Sequence, residues 1–238
     1  MNRVAAYRPV FQGTQPNHLH PPYVSSIKRA PTKPQVAIPY TLSEVTGPLF
    51  GPEIVSPKAS DLTRGHAGEP LGERIIVNGR VLDENSRPLP NTLVEIWQAN
   101  AAGRYLHRVD QHAAPLDPNF TGCGQAITDS EGRYHFRTIK PAAYPGDLGA
   151  LFRPAHIHTS LFGPLLSQRL VTQCYFEGDP LQDRDPILQS IPDPRGVERL
   201  LARFNSANTE VGDIDSALAY DWDIVLRGAS ATPVENDR

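Results

Sequence analysis

Two histidines separated by one residue give the strongest local sign of chemistry in this sequence. They are His156 and His158, in the segment Arg-Pro-Ala-His-Ile-His that begins at Arg153. On a β-strand, side chains at positions i and i+2 point to the same face, so both imidazoles can reach one metal ion. Because the chain has eight histidines, such a pair arises by chance fairly often. It indicates a metal site only together with further ligands.

Tyrosines in tight settings are candidates for the further ligands. Tyr105 follows a Gly-Arg pair and Tyr144 precedes a proline. Phenolates are hard anionic oxygen donors that suit a trivalent ion, so two tyrosines and two histidines would suit Fe(III). A packed ring with a hydrogen-bonded hydroxyl is the plain alternative for each tyrosine. An Fe(II) site of two histidines and one carboxylate, from Asp147 or Asp179, also stays open.

The histidine pair lies in a series of short β segments that begins near residue 73 and is interrupted by turn signals. The predicted strands are Arg74–Leu82, Thr92–Trp97, Gln125–Thr128, Arg133–Phe136, His156–Leu161, Arg169–Tyr175 and Trp222–Leu226. This series predicts a mainly β fold, in the form of a two-sheet antiparallel β-sandwich with a few short helices. One helix is predicted to begin at Asp193-Pro194 and to run through Phe204.

A long N-terminal arm precedes the strands. Residues 1–70 are rich in Pro, Ser, Thr and His and show little periodicity, so we expect an irregular arm with one short helix from Thr41. Residues 71–238 are then the catalytic β domain. An arm of this length needs a surface to lie on, so we expect it to wrap over its own domain and a partner chain; disorder is the alternative.

Composition excludes several classes of function. The net charge is −3 and no basic stripe collects the Lys and Arg residues, which argues against nucleic-acid binding. No apolar run is long enough to cross a bilayer, and the first residues lack a signal peptide, so we expect a cytoplasmic protein. Cys123 and Cys174 lie far apart, which predicts two reduced, mostly buried thiols.

Six segments carry a more specific signal than the histidine pair alone. They are residues 97–105, 115–120, 136–141, 144–145, 153–158 and 173–180. In order along the chain, these segments resemble the iron-carrying β subunits of the intradiol ring-cleavage dioxygenase family that act on protocatechuate. The likeness spans about residues 20–235.

The resemblance implies one non-haem Fe(III) per chain and a residue-by-residue assignment of the site. Its four protein ligands would be Tyr105, Tyr144, His156 and His158. Tyr144 would also be catalytic, as a base that takes a substrate proton when it leaves the metal, and Arg153 would stabilise developing charge. A surface salt bridge is the alternative for Arg153. The expected walls of the substrate pocket are Tyr23, Trp97, Gln173 and Ile187.

The resemblance further implies the reaction and the partners. We expect cleavage of protocatechuate (3,4-dihydroxybenzoate) with O₂ to 3-carboxy-cis,cis-muconate, in the β-ketoadipate pathway of aromatic catabolism. A homologous α subunit would complete the pocket in a hetero-oligomer. Gly146 stands where the family usually has tryptophan, which opens the pocket wall, so a bulkier substrate such as 4-sulfocatechol stays open.

Three rival interpretations remain at this stage. The first is a cupin-like Fe(II) or copper oxidase that uses the two histidines, and the second is a transthyretin-like module that binds a small aromatic without catalysis. The third is an iron-free α-type subunit, which should lack the four ligands. The visible colour of the protein distinguishes a ferric tyrosinate centre from the first two.

Overall fold

The computed structural model describes residues 10–34, 36, 52–146, 152–163, 169–212 and 216–235. The helix predicted from Thr41 lies outside these ranges. Within them, no helix has both the length and the apolar character needed to cross a bilayer.

Short strands dominate the described part of the chain. They are β1 (Arg74–Leu82), β2 (Leu93–Gln98), β3 (Cys123–Ile127), β4 (Arg133–Ile139), β5 (Tyr144–Pro145), β6 (Phe152–Arg153), β7 (His156–Phe162), β8 (Arg169–Phe176), β9 (Leu201–Phe204), β10 (Leu218–Asp221) and β11 (Ile224–Val225). The helices are α1 (Val24–Arg29) and α2 (Pro194–Glu198), with 3-10 turns at Pro52–Ile54, Gln182–Arg184 and Leu188–Ser190. The prediction of a mainly β protein with a few short helices is confirmed.

Nine of these strands form one mixed sheet, so the predicted pair of antiparallel sheets is wrong. The order is β11-β1-β10-β9-β8-β7-β2-β3, and β4 pairs with the other side of β1. β10 and β11 run parallel to β1, and β9 runs parallel to β8. The sheet curls until β3 and β4 pack against each other. Alternation along a strand predicts which face is buried, but it carries no information about the neighbouring strand, which is why the topology was missed.

The main apolar core fills the inside of this curl. Ile75 and Val77 of β1, Phe136 of β4 and Ile157 of β7 are all buried there. Since side chains alternate along a strand, burial of Ile157 in the core turns its two histidine neighbours to the opposite face of β7. The hydrophobic pattern of β7 thus orients the candidate ligands.

The helix predicted from Asp193 is correct at its start and wrong at its end. The Asp193 carboxylate accepts a hydrogen bond from the backbone N–H of Arg195, and Pro194 opens the helix. The helix stops at Glu198, and the residues from Leu201 form β9 against the edge of β8. Pairing with an available sheet edge has overridden the helical pattern of the sequence.

The described parts of the arm lie on the protein's own domain. The backbone N–H of Asn17 donates to the carbonyl of Ser190 (2.6 Å), and that of Leu62 donates to the carbonyl of Arg137 on β4 (2.8 Å). The division at residue 70 and the contact of the arm with a partner chain stay predictions.

The two cysteines are both free, and they differ in burial. Cys174 is buried, as predicted, whereas Cys123 is exposed. The prediction of a buried thiol is therefore wrong for Cys123.

Candidate metal centre

Strand register sets the neighbours of the two histidines. His158 on β7 lies opposite Trp97 on β2 and opposite Gln173 on β8. His156 lies opposite Tyr175 on β8. The rings of Trp97 and His158 stack with centroids 5.0 Å apart and planes 7° apart. Register pairing therefore accounts for the tryptophan and the glutamine that flank the histidines.

The short β5–β6 hairpin supplies a tyrosine and an arginine to the same place. Tyr144 and Arg153 are cross-strand partners. The Tyr144 hydroxyl lies 3.1 Å from Nε2 of His156, and Nη1 of Arg153 lies 3.3 Å from that hydroxyl. One paired hairpin thus places a phenol and a guanidinium beside the histidine ring.

The second tyrosine comes from the loop after β2, which glycine shapes. Gly103 has a φ of +78°, and a Cβ added there would lie 2.4 Å from the carbonyl oxygen of Ala143. Only glycine permits this close approach of the two chain segments. As a result the rings of Tyr105 and Tyr144 meet edge to face with centroids 5.1 Å apart, and Tyr105 lies 6.0 Å from the ring of His158.

Hydrogen bonding leaves lone pairs of this cluster facing inward. Nδ1 of His156 lies 2.7 Å from the carbonyl oxygen of Pro154; because a carbonyl only accepts, Nδ1 carries the proton and Nε2 carries the lone pair. The Tyr105 hydroxyl is buried and has no hydrogen-bonding partner in the described part of the chain. The two histidine rings lie 4.9 Å apart. The side chains of the two tyrosines and the two histidines therefore lie together in one cluster; that they bind a metal ion stays a prediction.

Burial favours the neutral forms of these groups. Burial, followed by the nearby Arg153 and His158, holds the pKa of His156 well below its usual value. Burial and the neighbouring Tyr144 raise the pKa of Tyr105 well above its usual value. Burial also raises the pKa of Tyr144, although Arg153 opposes the shift. Two phenolates in this pocket therefore require more positive charge than Arg153 alone supplies, and a trivalent metal ion would provide it.

Arg153 is fixed by a buried network. Its side chain is 6% exposed, and its Nε and Nη2 donate to the two carboxylate oxygens of Asp185 at 3.2 and 3.0 Å. Nη2 also donates to the Gln173 carbonyl (2.5 Å) and to the Tyr175 hydroxyl (2.8 Å), while Nη1 lies 3.0 Å from Nε2 of His156. The surface salt bridge considered for Arg153 is therefore wrong, since Asp185 is fully buried.

The four predicted wall residues lie in different places in the structure. Trp97 and Gln173 lie against the ligand cluster, through the stacked ring and the bond to Arg153. Ile187 is buried just after Asp185, to which its backbone N–H donates (3.4 Å). Tyr23 is buried at the start of α1. Contact of all four with a substrate stays a prediction.

Three polar residues of the site were missed from the sequence: Tyr175, Asp185 and Glu235. Tyr175 lies two positions after Gln173 on β8, so the shared strand face was a usable signal. Asp185 and Glu235 come from irregular segments, where no periodicity connects them to β7 or β8. Only the folded chain reveals them.

The carboxylate alternative finds no support in the described residues. Asp179 is occupied by backbone donors, with the N–H of Ala155 at 3.0 Å and that of Leu181 at 2.9 Å. In the part of the chain that the structure describes, no group of three or more His, Cys, Asp or Glu residues could hold a metal ion. Asp147 lies outside that part.

Comparison with known proteins identifies the family of this chain. Residues 45–228 match the protein family described as Dioxygenase, and residues 7–41 match the family described as Protocatechuate 3,4-dioxygenase beta subunit N terminal. The protocatechuate 3,4-dioxygenase beta chain of Burkholderia cepacia is 55% identical over 225 residues, which cover 93% of this chain and 94% of that one. The chain therefore belongs to the intradiol dioxygenase family.

Two further relatives extend the comparison. The protocatechuate 3,4-dioxygenase alpha chain of Pseudomonas putida is 28% identical over 204 residues, which cover 82% of this chain and 95% of that one. Among solved structures, 3-chlorocatechol 1,2-dioxygenase from Rhodococcus opacus 1CP matches with a TM-score of 0.55 and 26% identity, over 79% of this chain and 73% of that one.

Proposed function

We propose that this chain is the iron-carrying subunit of a protocatechuate 3,4-dioxygenase. It cleaves protocatechuate with O₂ between the two hydroxylated carbons and yields 3-carboxy-cis,cis-muconate, a reaction of aromatic catabolism. The observation that carries the proposal is the convergence of two tyrosines and two histidines beside a fixed arginine. The identity of 55% to a named beta chain supports the same reaction.

One ferric ion per chain fits this donor set. The ligands would be Tyr105, Tyr144, Nε2 of His156 and a ring nitrogen of His158. The fit rests on the buried Tyr105 hydroxyl, which lacks a hydrogen-bonding partner among the described residues, and on the hard oxygen donors that a trivalent ion prefers. When bound, the ion would supply Lewis-acid activation of the catechol and a route for its electrons to O₂.

The two tyrosines have different surroundings and therefore different roles. The Tyr144 oxygen has two polar neighbours, His156 and Arg153, so as a phenolate it could give up a metal contact, take one proton from the catechol and keep hydrogen bonds to these neighbours. The Tyr105 hydroxyl makes no hydrogen bond to a histidine or an arginine in the described residues, so in this proposal it is the ligand that stays in place. One phenolate would thus act as the base while the other holds its position.

Arg153 supplies a fixed positive charge beside the reacting atoms. Its guanidinium cannot turn freely, because Asp185, Gln173 and Tyr175 each accept a hydrogen bond from it. A preorganised cation of this kind stabilises negative charge that develops on the substrate oxygens, by about 3 kcal/mol.

An α subunit completes the assembly in this proposal. An α chain of a related enzyme aligns over 82% of this sequence, and the arm exposes apolar side chains that suit a protein partner. Those of Leu19, Val24 and Ile27 are each more than half exposed. Because α1 buries Ser26, Val24 and Ile27, three positions apart on the helix, form an outward apolar face, and Leu19 exposes a further apolar side chain just before the helix.

A second substrate is favoured by one specific observation. Gly146 follows the β5 strand next to Arg153, and an added Cβ would lie 3.2 Å from Cγ of that arginine. Even one added carbon is tight there, so the glycine avoids a side chain that would press on the arginine and narrow the site. 4-Sulfocatechol, whose anionic group is bulkier, is the alternative substrate for the same chemistry.

Steady-state kinetics on the assembled enzyme test the proposal. Protocatechuate, 4-sulfocatechol and unsubstituted catechol are compared, with product identified by mass and by the number of oxygen atoms incorporated from ¹⁸O₂. We expect a ring-opened product with two new carboxylates, which together carry both labelled oxygen atoms. Iron-loaded protein that cleaves none of the three would refute the proposal, and a non-catalytic aromatic-binding module would remain iron-free and inactive.

A further inference from the structure

The C-terminal tail, residues 226–235 after β11, extends the sheet beside the candidate metal centre. β9 pairs with β8 only at Tyr175 and Phe176, so the earlier part of that β8 edge is open to another segment. The tail uses it, because the backbone N–H of Glu235 donates to the carbonyl of Val171 (2.6 Å). The arm fastens the tail from the other side, where the N–H of Val234 donates to Oε1 of Gln15 (2.9 Å).

This docking places a carboxylate behind a candidate ligand. The Glu235 side chain is only 2% exposed, and its Oε2 lies 3.2 Å from Nδ1 of His158. Its Oε1 accepts a hydrogen bond from Nε2 of Gln173 (2.5 Å). The same Gln173 nitrogen lies further from Nδ1 of His158, at 3.5 Å, so the carboxylate is the acceptor for both groups.

We propose that the C-terminal tail is part of the metal centre and that Glu235 is its positioning residue. A carboxylate only accepts, so Nδ1 of His158 carries the proton and Nε2 keeps the lone pair available to the metal. The inference rests on the proposed function and deepens it. Partners of this kind behind a ligating histidine change metal affinity by about 10- to 100-fold.

Glu235 also fixes the orientation of a second group. Because its Oε1 requires a donor, the Gln173 amide turns its nitrogen toward Glu235 and its carbonyl toward Arg153. An amide at position 235, as in Glu235→Gln, disrupts this pairing of donors with acceptors. If its oxygen accepts from His158, its nitrogen faces the nitrogen of Gln173, and two donors then oppose each other.

Exchanging the side chains at positions 173 and 235 restores the pairing of donors with acceptors. In the double variant Gln173→Glu/Glu235→Gln, the carboxylate at 173 accepts from Arg153 and from the new amide, whose oxygen accepts from His158. Every donor again has an acceptor. A purely mechanical role of the tail gives no reason for the double variant to outperform Glu235→Gln, so the exchange separates positioning from docking.

The test measures iron retention by the assembled full-length protein. Each variant is loaded with iron, and the rate of iron loss to a chelator is followed together with the iron content. We expect Glu235→Gln to lose iron at least about 10-fold faster than the wild type, and Glu235→Asp and the double variant to recover part of that loss.

Glu84→Gln is the matched control. Glu84 is also a nearly buried carboxylate, 5% exposed, and it pairs with Arg227 near the start of the tail, away from the imidazoles. Its substitution should lower thermal stability while iron loss stays at the wild-type rate.

Three outcomes would overturn the inference: wild-type iron retention in Glu235→Gln, equal losses in Glu235→Gln and Glu84→Gln, or no recovery in either rescue variant. If Glu235→Gln does not fold, Glu235→Asp decides by the same rate comparison. Wild-type protein that takes up no iron would instead refute the proposed function, so the two failures are distinguishable.

Discussion

Replacing Asp185 by asparagine removes the carboxylate that pairs with the buried guanidinium of Arg153. Both side chains are almost completely inaccessible, at 6% for Arg153 and 0% for Asp185. The two oxygens of Asp185 accept from Nε and Nη2 of Arg153, and Oδ2 also lies 2.9 Å from the Tyr175 hydroxyl. Asparagine retains one acceptor oxygen, carries no charge, and turns an N–H₂ group toward one of the arginine donors.

The expected loss of unfolding free energy in Asp185→Asn depends on the burial of the ion pair rather than on the number of its contacts. Removing one partner of a buried ion pair costs about 3–5 kcal/mol, because the remaining charge is left without compensation. Because the amide oxygen of asparagine keeps one hydrogen bond, we expect Asp185→Asn to lower the free energy of unfolding by about 3 kcal/mol, at the lower end of that range. Asp223→Asn is the matched control, since Asp223 pairs with Arg80 at 42% and 53% exposure; it should cost less than about 1 kcal/mol.

Urea unfolding of the iron-free proteins, monitored by tryptophan fluorescence, measures both free energies. The Asp185→Asn enzyme, reloaded with iron, should also show a lower kcat, since Arg153 is no longer held beside the reacting atoms. A difference between Asp185→Asn and Asp223→Asn below 1 kcal/mol would refute the reasoning that the buried pair holds Arg153 in place.

Three further outcomes are expected. Tyr144→Phe should retain iron but bind a catechol more slowly in anaerobic stopped-flow mixing, because it lacks the phenolate that takes the proton; binding at the wild-type rate would contradict that role. The pKa of folded His156 is depressed, so only the unfolded chain takes up this proton as the pH falls below about 6.5. Iron-free protein should then lose up to about 1.4 kcal/mol of unfolding free energy per pH unit, and His156→Gln should lack this part of the slope in urea titrations. Gly146→Trp should lower kcat/KM for 4-sulfocatechol more than for protocatechuate, because an indole at this tight position crowds Arg153 and the bulkier substituent suffers more from the narrowed site; an unchanged ratio would exclude Gly146 from substrate selection.

The sequence could point to the four candidate ligands because their signals are local or shared with a family. His156 and His158 lie on one strand, where alternation alone puts both on one face. Tyr105 and Tyr144 are different, since their loops meet only through the close approach at Gly103, and nothing in their spacing indicates it. Those two came from the resemblance to a known family.

The parts that the sequence could not predict depend on long-range pairing. β9 forms because an edge of β8 is available, and no local pattern of Leu201–Phe204 distinguishes that outcome from a longer helix. Glu235 reaches His158 because the tail occupies another part of the same edge. The contact of Asp185 with Arg153 could not be predicted for the same reason, because Arg153 lies on a separate hairpin. In each case the decisive contact joins residues far apart in the chain.

The central claim is that two phenolates and two imidazoles hold one ferric ion. The visible spectrum of the purified protein, recorded with its iron content before and after anaerobic addition of protocatechuate, tests it most directly. We predict one iron per chain, a broad visible absorption from the tyrosinates that weakens in Tyr105→Phe, and a further change when the catechol binds. A colourless protein, or an absorption that neither tyrosine substitution alters, would contradict the claim.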